Sequence, residues 1–321
     1  MTPAWIAVLV AGTVFAAANA VAAWGVNAVW PARRHRLGLV PPAVRARRIL
    51  AWRLAPVLLA TAAAAIVTAA FLLHEPEGAA EHVGVALRVA AASGIGLLLA
   101  TALRVMGSLV ASECLAYRWT RGTHPAKLGG TGVPAWHVDS AFPVVAVVGV
   151  RRPRLVVARS VVLRCSDREL SAIVAHERGH LAAADNLKRL VLQSTFDVLS
   201  SFAVAGEMTS LWQETAEDAA DDHAAAHGSN ALDLASALVA VARLAPGGAM
   251  ASLPASTFYR GAGVERRVRR LLAADSPSPA AVRSGRPRLP AVGLACGAAL
   301  ALAAAGRPVY LVAEWFITHL P

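Results

Sequence analysis

Residues 176–180 read His-Glu-Arg-Gly-His. On a helix, positions four apart share one face, so His176 and His180 can offer two imidazoles to one metal, with Glu177 beside them as a general base. Neutral imidazole suits Zn2+, and a catalytic zinc takes three protein ligands and leaves a fourth position for water. A third ligand must come from elsewhere in the chain. Asp185 is close by, but the metzincin pattern asks for a glycine three residues after the second His and a ligand six after it, where Ala183 and Asn186 stand. Residues 212–222, Trp-Gln-Glu-Thr-Ala-Glu-Asp-Ala-Ala-Asp-Asp, hold two overlapping Glu-x-x-x-Asp registers, Glu214 with Asp218 and Glu217 with Asp221. In either register the Glu would bind metal, and the Asp one turn on could accept the N–H of a ligand His. Most acids of this stretch are expected on a solvated helix face, as are His223 and His227 beyond them.

These residues need elements to hold them. Ser166 with Glu169 three residues on forms a capping box, which starts a helix running to about Ala184. Before it, Val144–Val148 and Leu155–Val162 are β-branched runs parted by Gly149 and Pro153, and they read as two strands. After it, 189–212 carries a long, mostly apolar helix pattern. Asp197 and Glu207 make its free-standing insertion costly, so it is expected to pack on the domain or lie at the membrane face. Further helices are expected from near Trp212 to Gly228 and over Ala231–Leu244, the latter stopped by Pro246-Gly247-Gly248. Arg266–Arg270 marks a basic amphipathic helix, read as contacting anionic lipid headgroups.

Composition then sets the surroundings. The 321 residues are 56% hydrophobic and 16% charged, with a net charge of +11. Soluble domains run at about 45–50% apolar and about 25% charged, which argues against an ordinary soluble globule. Apolar runs at Ala4–Trp30, Ile49–Leu73, Val83–Ala111 and Ala291–Ile317 are each long enough to cross the roughly 30 Å hydrocarbon core. The first reads as a retained anchor, since no base precedes it and it is too long for a signal-peptide core. Arg53, Arg88 and Arg104 lie toward span ends, where long side chains reach the headgroups, and Arg307 with Pro308 suggests a kink in the fourth. Six Arg and no acid lie at 33–48, whereas Glu75, Glu77 and Glu81 occupy the next loop without a base. By the positive-inside rule both termini face out and the motif-bearing region faces the cytoplasm.

The expected organisation is a mainly α, multi-span membrane protein carrying a cytoplasmic α+β metallopeptidase domain. Residues 1–112 form a three-helix membrane region and 113–275 the domain. Residues 276–290 form a Pro/Ser/Arg linker and 291–321 a last membrane helix. The three cysteines, Cys114, Cys165 and Cys296, are too scattered for a disulfide framework and read as small buried hydrophobes. Direct nucleic-acid binding is not expected, for want of a reading motif.

His176-Glu177-Arg178-Gly179-His180, an intervening helix and Glu217-Asp218-Ala219-Ala220-Asp221 together resemble the gluzincin membrane peptidases. These comprise the HtpX and CaaX-processing group and the BlaR/MecR antirepressor group. Gly149-Val-Arg-Arg-Pro-Arg-Leu-Val-Val-Ala, Glu169-Leu170, the His-Glu motif and Asp185-Asn186 are most similar to the BlaR/MecR group, over about residues 140–225. The resemblance implies a plasma-membrane zinc endopeptidase with one Zn2+ per chain, held by His176, His180 and Glu217 rather than Glu214. Asp221 would orient a ligand, while Glu177 takes a proton from water and returns it to the leaving amine. It implies a protein or peptide substrate, such as a transcriptional repressor, pairing with an edge strand around Leu155–Ala158. No Ser-x-x-Lys acylation motif occurs, so a penicillin-binding sensor domain is not expected. A second reading is an HtpX-like quality-control peptidase, although the 36 residues between His180 and Glu217 are too few for two spans. A reading of another class is a catalytically silent membrane scaffold or signalling protein, against which the intact Glu177 argues.

Overall fold

The computed structural model describes residues 3–74, 84–128, 131, 133–140, 142–244, 261–273 and 311. The first three apolar runs form α1 (Pro3–Leu37), α2 (Pro42–His74) and α3 (Val85–Thr120). All three are long and apolar enough to cross a membrane. Helices of this length exceed the hydrocarbon core by several turns, and α3 continues past the expected end at Ala111. Leu58, Leu99, Leu103 and Met106 are exposed on them, as suits lipid-facing surface. Small residues let α1 and α3 touch: a Cβ on Gly94 would lie 1.9 Å from the Gly12 carbonyl oxygen. The acidic loop, the linker and the fourth expected span, apart from Leu311, lie outside the described residues.

Beyond α3 the chain builds a sheet from β1 (Pro125–Lys127), β2 (Pro134–Val138), β3 (Val145–Val148) and β4 (Arg154–Ala158), in the order β1-β2-β4-β3. β2 and β4 are parallel, while β3 runs antiparallel to β4 with Val147 opposite Leu155. Two strands were expected here and four are present among the described residues. β1 and β2 are short, each begins with a proline, and neither shows apolar alternation. The second apolar run also stops early, at Ala158, and Arg159–Arg164 form α4. Extended, residues 161 and 163 would share one face; the helical turn instead buries Val161 and leaves Leu163 81% exposed. The expected edge at 155–158 is therefore corrected. β4 is flanked on both sides, and β3 is the outer strand next to it, with β1 at the opposite edge.

The remaining helices are α5 (Asp167–Ala183), α6 (Asp185–Ser194), α7 (Ala203–Ala226), α8 (Ala231–Leu244) and α9 (Gly261–Ala273). The continuous helix expected over 189–212 is broken between α6 and α7, with a 3-10 turn at Val198–Ser201. Asp197 accepts from the Ser200 N–H, and the Ser200 hydroxyl accepts from the Asp197 N–H. Such local side-chain bonds compete with the helix ladder. α7 consequently starts at Ala203 rather than near Trp212.

Of three apolar cores among the described residues, two bear on the site. One joins the sheet, α5 and α8 through Val145, Val157, Ile173 and Leu238. The other joins α1, α2 and α7 through Trp30, Ile49, Met208 and Trp212. Of the cysteines read as buried, Cys165 is buried, Cys114 is exposed on α3, and Cys296 lies outside the described residues.

Candidate metal centre

α5 begins as expected, with the Ser166 hydroxyl accepting from the Glu169 N–H and the Glu169 carboxylate accepting from the Ser166 N–H. It ends at Ala184, whose φ of 54° is left-handed and rare without glycine. The reversal there brings Asp185 back beneath His180. Asp185 Oδ2 lies 2.8 Å from His180 Nδ1, and Asp221 Oδ1 lies 2.9 Å from His176 Nδ1. Each imidazole thus has a carboxylate behind it, which sets the ring's orientation and directs Nε2 away.

Those two Nε2 atoms face each other at 3.2 Å. Glu217 completes the triangle, with Oε2 3.5 Å from His176 Nε2 and Oε1 3.6 Å from His180 Nε2. His176, His180 and Glu217 are the group that could hold a metal ion among the described residues. Bonds of about 2.0–2.1 Å at a tetrahedral angle place neighbouring donors about 3.3 Å apart. The spacing fits zinc, and so does the bonding. Glu217 Oε1 is buried with no hydrogen-bond partner among the described residues, and a buried acceptor left so is costly unless a cation meets it.

Glu177 sits beside this triangle, 3% exposed. Its Oε2 accepts from the Val147 N–H at 3.1 Å, while Oε1 has no hydrogen-bond partner among the described residues. Val147 belongs to the outer edge of β3, so the sheet itself positions the candidate base. Asn186 braces that edge from the kink after α5, its Nδ2 donating to the carbonyls of Val147 and Gly149 at 2.8 and 3.1 Å.

Three of the five acids at 214–222 are not on a solvated face, and the expectation for most of them is corrected. Glu217, Asp218 and Asp221 are buried, because α9 covers them with arginines. Arg267, only 2% exposed, donates to Asp221 Oδ2 and Oδ1 at 3.0 and 2.6 Å and to Glu217 Oε2 at 3.0 Å. Arg266 binds Asp218, and Arg270 binds Asp222. The basic helix read as lipid contact therefore faces α7 through these three residues, while Arg269 stays exposed. A signal for this was present in the sequence. Basic residues at 266, 267 and 270 match the helical spacing of acids at 217, 218, 221 and 222.

Gly179, inside the motif, lets α7 come this close. A Cβ there would lie 3.0 Å from Ala220 Cα and 3.1 Å from His223 Cβ. The other sequence candidates fall outside the triangle. Glu214 is exposed, with its carbonyl near Arg266, and Asp185 stands behind His180. His223 and His227 stack at 3.9 Å and line a cavity of about 880 Å³ that α5 borders with Ser171, Ala175 and Arg178, on its face away from the triangle.

Charge in the cluster follows from burial and pairing. Burial would lift the Glu217 carboxyl, but His180 foremost, and Arg267 among others, hold it well below the usual range. Asp221 is likewise opposed by burial, yet Arg267 and then His176 bring it down to about 2. For His180, burial disfavours the charge, but Glu217 and next Asp185 outweigh it and raise the ring to about 10. Burial lifts the Glu177 carboxyl above its ordinary value, against the pull of His180 and His176.

Residues 144–319 match the family model of peptidase family M48. No curated protein and no solved structure matches the chain. The family match spans more than half of the 321 residues, and the chain belongs to that family of metallopeptidases.

Proposed function

Starting from that membership, we propose that the protein is an integral-membrane zinc endopeptidase that cleaves a protein substrate in regulatory proteolysis, in the manner of the BlaR/MecR-like proteins. The observation that carries this reading is the convergence of His176 Nε2, His180 Nε2 and Glu217 Oε1 beside Glu177. His176, His180 and Glu217 would hold one Zn2+, which when bound polarises a peptide carbonyl and acidifies water. Asp221 and Asp185 keep the two Nδ1 protons in place, so the Nε2 lone pairs point into the site. Glu177 takes the proton from the attacking water and delivers it to the departing amine. Its raised carboxyl suits both tasks, because a base whose affinity for protons lies nearer neutrality also returns them. The Val147 N–H holds one oxygen of Glu177 and leaves the other to exchange the proton.

The arginines clustered at 33–48 support a cytoplasmic site in the plasma membrane, with both termini outside. A repressor is the substrate that the BlaR/MecR likeness favours. One observation favours the HtpX-like reading: the turn between α6 and α7, at residues 196–198, bonds to all three membrane helices between the two halves of the metal motif.

Metal analysis tests the proposal. Wild-type protein should retain one zinc per chain, His176→Ala should lose it, and Glu177→Ala should keep it while proteolysis disappears. Undiminished cleavage by Glu177→Ala would overturn the mechanism. Orientation is best probed at Cys114, which is exposed. Cys165 is buried, and burial with Glu169 nearby pushes its thiol up to about 11, so it alkylates poorly at neutral pH. Labelling of Cys114 only from outside the cell would reverse the topology.

A further inference from the structure

The break between α6 and α7 sits inside the bundle of membrane helices, and each of those helices supplies a side chain to it. From α1, Asn19 Oδ1 accepts from the Val198 N–H at 3.0 Å. From α2, Arg53 donates to both oxygens of Asp197 at 3.2 and 3.0 Å, to the Thr195 carbonyl at 3.2 Å and to the Ser200 hydroxyl at 3.0 Å. From α3, the Thr101 hydroxyl donates to the Phe196 carbonyl at 2.9 Å and accepts from the Phe196 N–H at 3.1 Å. Arg104 adds its guanidinium over the Phe196 ring at 4.2 Å. Asn19, Arg53 and Asp197 are each at most 3% exposed.

The three helices bracket the depth of this turn. Thr101 lies ten residues inside the end of its apolar run at Ala111, Asn19 eleven inside Trp30 and Arg53 four inside Ile49. At 1.5 Å per residue they are about 15, 16 and 6 Å deep, all within a roughly 30 Å core, and Arg53, read from the sequence as reaching the headgroups, is instead buried against Asp197. Non-helical backbone survives there only where protein satisfies its polar groups, which these side chains do.

Glu217 sits on α7 where that helix passes from one apolar core to the other. His176 and His180 ride on α5, which belongs to the core of the sheet and α8. Glu217 follows Ala216 on α7, whose residues from Ala205 to Ala216 belong to the core of α1 and α2, while Ala224 near its far end joins the core of the sheet and α8. α7 runs unbroken from Ala203, next to the turn, to Glu217, about 21 Å along its axis. We propose that Asn19, Arg53 and Thr101 form an intramembrane polar seat that couples the packing of the membrane helices to the position of Glu217. A rearrangement of the helices shifts α7 against α5 and opens or closes the metal triangle. In its link to zinc, this inference rests on the function proposed above.

Thr101→Val removes both bonds to Phe196 at nearly constant volume, and Thr101→Ser keeps the hydroxyl. Arg53→Lys is a second variant, which keeps the charge but loses the fork. With the full chain in lipid nanodiscs and no metal, hydrogen exchange is read along α5 and α7. Thr101→Val and Arg53→Lys should raise exchange about tenfold over residues 211–222 while α5 and α8 keep wild-type protection, and Thr101→Ser should match wild type. Zinc-loaded Thr101→Val should also give up its metal to a chelator about tenfold faster. Unchanged exchange in α7 in both variants, or equal loss of protection in every element, overturns the proposal. A wild-type chain that binds no zinc overturns the catalytic reading instead, and leaves the exchange result decisive for the seat.

Discussion

Gly179→Ala sets two consequences of one methyl group against each other. Replacing a helical glycine by alanine gains about 1 kcal/mol in helix propensity. The new Cβ would meet Ala220 Cα at 3.0 Å, His223 Cβ at 3.1 Å and Ala220 Cβ at 3.3 Å, whereas carbon pairs rest at about 3.5–4.0 Å. α5 and α7 must then part by roughly 0.5 Å or more, and overpacking of this kind costs about 1–3 kcal/mol. The net effect on folding lies between about zero and 2 kcal/mol, small against a stability of about 5–15 kcal/mol. The metal triangle fares worse, because the same displacement carries Glu217 away from His176 and His180, and metal bonds tolerate only about 0.2 Å. Gly179→Ala should therefore melt within a few degrees of wild type when metal-free, yet bind zinc about 10–100-fold more weakly in chelator competition. Zinc affinity within about threefold of wild type would refute the claim that Gly179 sets the spacing of the triangle.

Two further outcomes follow from the same geometry. Arg267→Met leaves Asp221 and one oxygen of Glu217 buried without their cation, which should cost about 3–5 kcal/mol in chemical denaturation of the metal-free chain; Arg267→Lys should recover only part of that, since it cannot grip both carboxylates. Glu169 caps α5 and accepts from Ser236 of α8 at 2.5 Å; burial opposes its charge, but the bonds from Ser236 and Ser166 hold its carboxyl below the ordinary 4.5. A carboxyl lowered in the folded state stabilises above its unfolded value and loses that contribution as pH falls. Glu169→Gln should accordingly flatten the decline in stability below about pH 4.5 and cost about 1 kcal/mol at neutral pH.

The legible parts of this protein were those written in local periodicity. The capping box at Ser166, the four-residue spacing of His176 and His180 and the three charge-poor runs at 4–30, 49–73 and 83–111 all depend on neighbours within a few turns. The strands at 125–127 and 134–138 were not legible, because they are short and show no alternation, and pairing alone makes them strands. The interruption at Asp197 was likewise hidden in an apolar pattern. Its capping bonds are local, but Arg53, 144 residues away, is what makes a buried carboxylate tolerable there.

By itself the sequence determined the chemistry on offer: two imidazoles on one helix face, a carboxylate between them, and acidic registers further along that left Glu214 and Glu217 both open to the residues' own logic. Tertiary structure sets them apart by burial. Glu214 faces solvent, whereas Glu217 is turned inward against His180 with Arg267 behind it. It also gave Asp185 and Asp221 their places behind the two rings and turned a basic helix from the lipid toward α7. The reason is physical: orientation along one helix is fixed by 3.6 residues per turn, but the cost of burying a charge depends on which distant charge arrives to meet it.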